Sequence, residues 1–157
     1  MRCGQTTFFV KLSSVLDKED RAICDMNETL EQILLVDDNS IQAATRKAIL
    51  ERVGFSVKIF LSAQEALLYL QNDTGAPVGL VITDHIMPEM PGTAFVHQLR
   101  QSNRQIPVVV LSGLEDAEEE YREYNVIFRV KPIAPDELQA LAVRLLHPPI
   151  SQTKQLA

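Results

Sequence analysis

The chain of 157 residues has the length of one domain, with 46% hydrophobic and 23% charged residues, as is ordinary for a globular protein. A net charge of −6 argues against a chain-wide phosphate-binding surface, so we expect no direct nucleic-acid binding. No apolar stretch is long enough to span a membrane, and Cys3 and Cys24 have neither metal-site spacing nor a disulfide framework. We therefore expect a reducing, cytoplasmic location.

Residues 1–31 differ in character from the rest of the chain. They contain the mixed charge run 17–21 and no regular apolar period, which predicts an N-terminal extension, partly disordered or helical. Met26 stands just ahead of the first regular segment. One hypothesis is therefore that the natural start is Met26.

From Gln32 onward, short apolar runs alternate with segments of helical period. The apolar runs predict five strands, at 33–36, 56–60, 79–84, 107–112 and 126–130. The second run alternates more than the others, which suits a strand near a sheet edge.

Helix signals separate the predicted strands. Asn39 or Ser40 can cap the first helix and Gly54 ends it, while 62–65 reads as a capping box for the second. The third helix follows Gly92, and the last begins near Pro135. A fourth helix is predicted to place four apolar or aromatic side chains on one side: Leu114, Ala117, Tyr121 and Tyr124.

This alternation predicts an α/β fold, a doubly wound, five-stranded, mostly parallel sheet with helices on both faces. The domain is expected to cover 32–147 and to be followed by a polar tail at 148–157. The tail is too short for a second domain, so one domain is expected to carry the function.

The residues that end the predicted strands carry the chemistry. Asp37 and Asp38 follow the first strand, Asp84 ends the third, Ser112 ends the fourth, and Lys131 follows the fifth. In a parallel sheet these ends face the same way, so the side chains should converge. Clustered carboxylates repel each other and suit a hard cation such as Mg²⁺, and the lysine suits a phosphoryl oxygen. The set describes a site for phosphoryl transfer.

An ordered set of motifs over roughly 32–146 resembles the receiver domain of two-component response regulators. The motifs are Val36-Asp37-Asp38, Asp84, Met87-Pro88-x-Met90-x-Gly92, Ser112 and Lys131-Pro132. The resemblance implies a flavodoxin-like sheet in the order 2-1-3-4-5, with Asp84 as the phosphoacceptor. It also implies that Asp38, Asp84 and the Ile86 carbonyl ligate Mg²⁺, and that Asp37 acts mainly through water.

The same resemblance assigns the remaining roles. Ser112 would be the switch hydroxyl and Phe128 the switch aromatic, turning inward when Ser112 moves toward the phosphoryl group. Lys131 would bind that group and precede a cis peptide bond at Pro132. His85 follows the acceptor directly, and we expect a partly exposed side chain there instead of a catalytic group.

Some positions depart from the family pattern. The interval from Ser112 to Lys131 is short by about one helical turn, and the Gly-Ala signal before the fifth strand is missing. These departures put the fourth helix and the usual output face in doubt. Pro91 and Leu114, at the mouth of the site, differ from common relatives and are expected to affect phosphoryl lifetime. The acidic run 115–120 suits either a docking surface or a helix N-terminus stabilised by negative charge.

The interpretation is a stand-alone receiver, a signalling switch and not a metabolic enzyme. It would be phosphorylated on Asp84 by a sensor histidine kinase or phosphotransfer protein and would signal to an output protein. A phosphorylation-dependent dimer is a further possibility. One alternative is a small Mg²⁺-dependent phosphohydrolase, although Asn39 stands where such enzymes need a second acid after Asp37. Another alternative is an interaction module that is not phosphorylated.

Overall fold

The computed structural model of the protein describes residues 31–72, 77–102 and 105–147. Within these residues there are five strands: β1 (Gln32–Val36), β2 (Ser56–Phe60), β3 (Val78–Asp84), β4 (Val108–Ser112) and β5 (Ile127–Val130). The helices are α1 (Ser40–Glu51), α2 (Ala63–Gln71), α3 (Gly92–Ser102), a 3₁₀ helix (Glu115–Tyr121) and α4 (Pro135–Leu146). Almost all of the predicted extension, the Met26 start and the 148–157 tail lie outside the described residues.

The five strands form one parallel sheet in the order β2-β1-β3-β4-β5. This confirms the predicted doubly wound fold, and β2 lies at an edge as its alternating pattern indicated. Val36 lies opposite Thr83, and Asp84 lies opposite Leu111. The carboxyl ends of β1, β3 and β4 are therefore level at one edge of the sheet.

Side chains from the sheet are buried on both faces. Along β1, Ile33 and Leu35 pack into one cluster with residues of α1 and α4, and Leu34 and Val36 into another with α2 and α3. Successive strand residues point to opposite faces, so a fully apolar strand requires helices on both sides. Among the described residues, no helix is long and apolar enough to cross a bilayer.

Helix α1 begins and ends as its sequence predicts. The Asn39 side chain accepts hydrogen bonds from the N–H groups of Ile41 and Gln42, both at 3.1 Å, and so satisfies two otherwise unpaired donors. Gly54 follows with φ of 97°, a left-handed conformation that favours glycine. The cap thus fixes the start of α1 directly after the two acids that follow β1 in the chain.

The predicted capping box of the next helix is wrong in its side-chain part. Ser62 has the extended backbone of an N-cap and its carbonyl accepts from the Ala66 N–H at 3.2 Å, but its hydroxyl makes no capping hydrogen bond. The backbone alone therefore starts α2. The four-residue signature predicts where a helix starts, while the serine rotamer is set by local packing.

The predicted fourth helix is not an α-helix. Its residues form the 3₁₀ helix, which buries Ala117 and Tyr121 but leaves Leu114 exposed. A 3₁₀ helix rises about 2.0 Å per residue, against about 1.5 Å in an α-helix, so a short segment spans more distance. The shortened interval that the sequence shows favours this change of helix type.

Candidate functional site

Three acidic side chains meet at the carboxyl edge of the sheet. Asp37 and Asp38 follow β1 and Asp84 ends β3, and one carboxylate oxygen of each lies within 4.8 Å of the others. Asp37 and Asp84 are buried, whereas Asp38 is exposed. Two of the three carboxylates are therefore held inside the protein, and the third is open to solvent.

Two cations contact this cluster. Lys131 Nζ forms an ion pair with Asp84 Oδ1, and Arg46 Nη1 of α1 forms one with Asp37 Oδ2. The other Asp37 oxygen accepts the Asn39 N–H at 2.8 Å. Buried carboxylates need partners of this kind, because an unpaired buried charge is costly.

The ends of β4 and β5 bring Ser112 and Lys131 to the same edge. The Lys131 N–H donates to the Ser112 carbonyl at 2.7 Å, and the peptide bond from Lys131 to Pro132 is cis, as the resemblance implied. Ser112 is buried, and its hydroxyl oxygen accepts the Leu114 N–H at 3.0 Å. The serine oxygen is therefore engaged by its own loop in this conformation.

His85 is buried, so the expectation of a partly exposed side chain is wrong. Its Nδ1 lies 2.7 Å from the Tyr121 hydroxyl, and the two rings meet edge-on with centroids 5.6 Å apart. The 3₁₀ helix covers this position because Tyr121 points inward from its last turn. His85, which follows Asp84 directly, thus links the end of β3 to the 3₁₀ helix.

Gly92 permits this close packing. A Cβ at that position would lie 2.6 Å from the Asp84 carbonyl oxygen and 2.7 Å from the Tyr121 hydroxyl. The Gly92 N–H also donates to the His85 carbonyl at 2.8 Å. The glycine of the Met-Pro-x-Met-x-Gly motif is therefore required by contact with the end of β3.

Phe128 lies inward and is buried, with its ring centroid 5.9 Å from that of Tyr121. The Phe128 side chain is already buried in this conformation, and its movement when Ser112 turns toward a phosphoryl group stays a prediction. Burial raises the pKa of Tyr121 above its usual range, and the charges of Glu120 and Asp84 raise it further. The raised pKa means that the Tyr121 phenol keeps its proton to a higher pH than an exposed tyrosine does.

Of the predicted site residues, the structure brings together Asp37, Asp38, Asp84 and Lys131, with Ser112 at the same edge. Ile86 follows nearby in the chain with an exposed side chain. Sequence reasoning missed Arg46 and Tyr121. Helical spacing could have placed Arg46 on the buried face of α1, three residues after Ala43 and four before Leu50, but not its contact with Asp37.

The donor set fits Mg²⁺. Carboxylate oxygens are the ligands that this hard cation prefers, and it usually keeps several waters, which the exposed Asp38 side of the cluster allows. Softer metals are held mainly by sulfur and imidazole ligands, which this cluster does not offer.

Comparison with known proteins identifies the family. Residues 33–143 match the sequence model of the response regulator receiver domain. The rice (Oryza sativa subsp. japonica) two-component response regulator ORR5 is 32% identical over 127 residues, covering 73% of this chain and 88% of the rice protein. The response regulator Rre1 of Synechocystis sp. is 37% identical, over 73% of this chain and 51% of that protein.

Solved structures agree. The signal receiver domain of a signal transduction histidine kinase from Syntrophus aciditrophicus has a TM-score of 0.68 and 30% identity, over 81% of this chain and 97% of that one. A response regulator receiver protein from Pseudomonas putida has a TM-score of 0.66 and 29% identity, over 73% and 96%.

The fold is that of CheY-like receiver domains, with a cluster of three acids at the carboxyl edge of the sheet. The chain belongs to the response regulator receiver domain family of two-component systems. Receiver domains are signalling domains that generally bind Mg²⁺ at an acidic pocket and interact with histidine kinases or phosphotransfer proteins. The family match favours a receiver over the phosphohydrolase alternative, which needs an acid where Asn39 stands.

Proposed function

We propose that the protein is a stand-alone cytoplasmic receiver, with its domain at 32–147, that accepts a phosphoryl group on Asp84. The donor is a phosphohistidine of a histidine kinase or phosphotransfer protein. The observation that supports this best is the placement of Asp84, buried at the end of β3 between Lys131 and two further acids.

The chemistry requires a nucleophile and charge neutralisation. The ionised Asp84 carboxylate attacks phosphorus directly, the new O–P bond forms as the N–P bond to the donor imidazole breaks, and the imidazole leaves with the electron pair. No general base is needed. Lys131, held on Asp84 Oδ1, is placed to neutralise charge on the transferred group.

When bound, Mg²⁺ supplies further neutralisation of the phosphoryl oxygens. Asp38, Asp84 and the Ile86 carbonyl are the proposed ligands, and Asp37 is proposed to act through water. The exposed position of Asp38 and the burial of Asp37 support this division of roles.

Readout is proposed to begin at Ser112. Its hydroxyl must turn from the loop N–H of Leu114 toward the phosphoryl group and donate a hydrogen bond there. The 3₁₀ helix follows that loop directly, so movement of Leu114 reaches Tyr121 and Phe128. The surface that changes is then the one formed by the 3₁₀ helix, β5 and α4, where an output protein or a second copy could dock.

The first prediction tests the acceptor. Mass spectrometry after incubation with acetyl phosphate and Mg²⁺ should show one added phosphoryl group, lost in alkali as an acyl phosphate is. Asp84→Asn should take up none, whereas Asp136→Asn, which changes an acid in the first turn of α4, should label as the parent does. Undiminished labelling of Asp84→Asn would place the acceptor elsewhere.

A further inference from the structure

Arg46 places a positive charge inside the acidic cluster. Its side chain is only 11% exposed and that of Asp37 only 1%, so the ion pair between Nη1 and Asp37 Oδ2 is shielded from water. The second guanidinium nitrogen, Nη2, donates to Gln42 Oε1 at 2.8 Å. The guanidinium thus has one partner in the acidic cluster and one on its own helix.

Both oxygens of Asp37 are occupied in this arrangement. Oδ1 accepts the Asn39 N–H at 2.8 Å, and Oδ2 contacts Arg46. A divalent cation bound near Asp37 needs an oxygen of that carboxylate, directly or through a water. It is also repelled by a guanidinium a few ångströms away, in a place where solvent screens little.

The structure offers the guanidinium another position. Arg46 lines a groove of about 490 Å³ between α1 and the segment after β5, with Gln42, Thr45, Pro132 and Lys131, whose ammonium pairs with Asp84, among its other walls. The Gln42 amide that already holds Nη2 lines the same groove. Rotation about the outer side-chain bonds of Arg46 could move its charge from Asp37 toward this groove without unwinding α1.

We propose that Arg46 is an internal counter-ion that competes with a divalent cation for Asp37. It satisfies the buried carboxylate when no metal is bound, turns toward the groove when the metal binds, and so weakens metal affinity and sets the metal concentration needed for phosphorylation. This inference rests on the proposed function, because it assumes that the cluster binds Mg²⁺.

A purely structural role for Arg46 predicts something different. If the ion pair served only to hold α1 against β1, its loss would loosen the site and weaken metal binding. Competition predicts the opposite sign, since removing the guanidinium leaves Asp37 unpaired and available. The direction of the change in affinity therefore separates the two roles.

The test, our second prediction, is a Mg²⁺ titration of the full chain by calorimetry at low ionic strength. Arg46→Met should bind Mg²⁺ about tenfold more tightly than the parent, the factor that matches loss of one charge-assisted contact. The matched control is Lys47→Met, which removes the same charge from the next residue of α1, where the ammonium pairs with Glu51. The control should change affinity less than about twofold, because exposed charges are screened.

A second measurement covers the case in which Arg46→Met does not fold. In the parent, the guanidinium NMR signals of Arg46 should shift on saturation with Mg²⁺, as the contact with Asp37 is lost. Signals that stay in place, or a folded Arg46→Met that binds Mg²⁺ no more tightly than the parent, would overturn the proposal. If the parent itself binds no Mg²⁺, both this inference and the proposed metal site fail. If the parent binds Mg²⁺ and is labelled on Asp84, but Arg46→Met binds Mg²⁺ with the affinity of the parent, only the role of Arg46 is refuted.

Discussion

In the proposed reaction, Asp84 is the nucleophile and Lys131 supplies a fixed positive charge beside it. Asp84 is buried but keeps an ion pair with Lys131, whose side chain is mostly shielded as well. A charge held beside the reacting carboxylate needs no reorganisation when the phosphoryl group arrives. The lysine should therefore matter more for the rate of transfer than for metal binding, which the acids provide.

The third prediction separates these two roles. Lys131→Met should label on Asp84 roughly 10²-fold more slowly than the parent, the usual effect of removing one preorganised charge or donor, while still binding Mg²⁺. Labelling by acetyl phosphate is followed by mass spectrometry over time. Lys58→Met is the control, since Lys58 of β2 places its ammonium over the Tyr69 ring of α2. A Lys131→Met rate equal to that of the control would remove the lysine from the mechanism.

Sequence could place the strand-end residues but not the long side chains that reach them. Asp84 and Ser112 follow directly from where buried strands end, because parallel strands share one edge. Arg46 lies nine residues from Asp37, and its contact depends on the rotation of α1 and on several side-chain torsions. Residue spacing does not determine such torsions.

At the scale of elements, the 3₁₀ helix is the feature that sets this chain apart from its predicted pattern. Its acidic outer residues are exposed, and its two buried side chains are Ala117 and Tyr121. Tyr121 contacts His85 through its hydroxyl and Phe128 through its ring. This short helix is therefore attached to the sheet largely through one tyrosine.

The fourth prediction concerns this attachment. Tyr121→Phe keeps the ring but removes the hydroxyl that pairs with His85 Nδ1, so the free energy of unfolding should fall by about 1–2 kcal/mol. Urea denaturation measures this loss, and hydrogen exchange should quicken at 115–121 before it does elsewhere. Tyr124→Phe is the control, because its hydroxyl lies 3.3 Å from His97 at an exposed position. Equal stability of Tyr121→Phe and the parent would show that ring packing alone holds the helix.

The stability of the parent and that of Tyr121→Phe should also depend differently on pH. The folded pKa of Tyr121 is raised above its value of 10.0 in the unfolded chain, so the folded state keeps the phenolic proton longer. This contribution is fully present below about pH 10 and is lost as pH rises from there through the folded pKa. The stability of the parent should therefore fall more steeply than that of Tyr121→Phe above pH 10. Parallel curves would contradict the raised pKa.

The sequence predicts the regular strands and α-helices better than the short, irregular 3₁₀ helix. All five strands and the four α-helices follow from apolar periods, and the ends of α1 follow from Asn39 and Gly54. The 3₁₀ helix was misread because Ala117 and Tyr121, four residues apart, fit an α-helical face. Its type depends on the distance that the segment must span, which the local sequence does not state.

For the whole molecule, both packing layers reach the acidic edge. On one face α1 brings Arg46 to Asp37, and on the other the 3₁₀ helix brings Tyr121 to His85, beside Asp84. The alternating sequence predicted a sheet with helices on both faces, but it left the strand order open, and the order came from the family resemblance. A change of charge at this edge thus acts on helices of both layers.

The last prediction is that ligands of this edge stabilise the entire domain. A ligand that binds only the folded state adds about 2.7 kcal/mol at 100 times its dissociation constant. For a chain of 157 residues this corresponds to a rise in Tm of roughly 5–10 °C. Mg²⁺ should raise the Tm of the parent, and beryllofluoride, which mimics the acyl phosphate on an aspartate, should raise it further. Asp84→Asn should lose the second increment, while Asp136→Asn should keep both. Differential scanning calorimetry measures the shifts, and a beryllofluoride increment that survives in Asp84→Asn would show that the anion binds away from the end of β3.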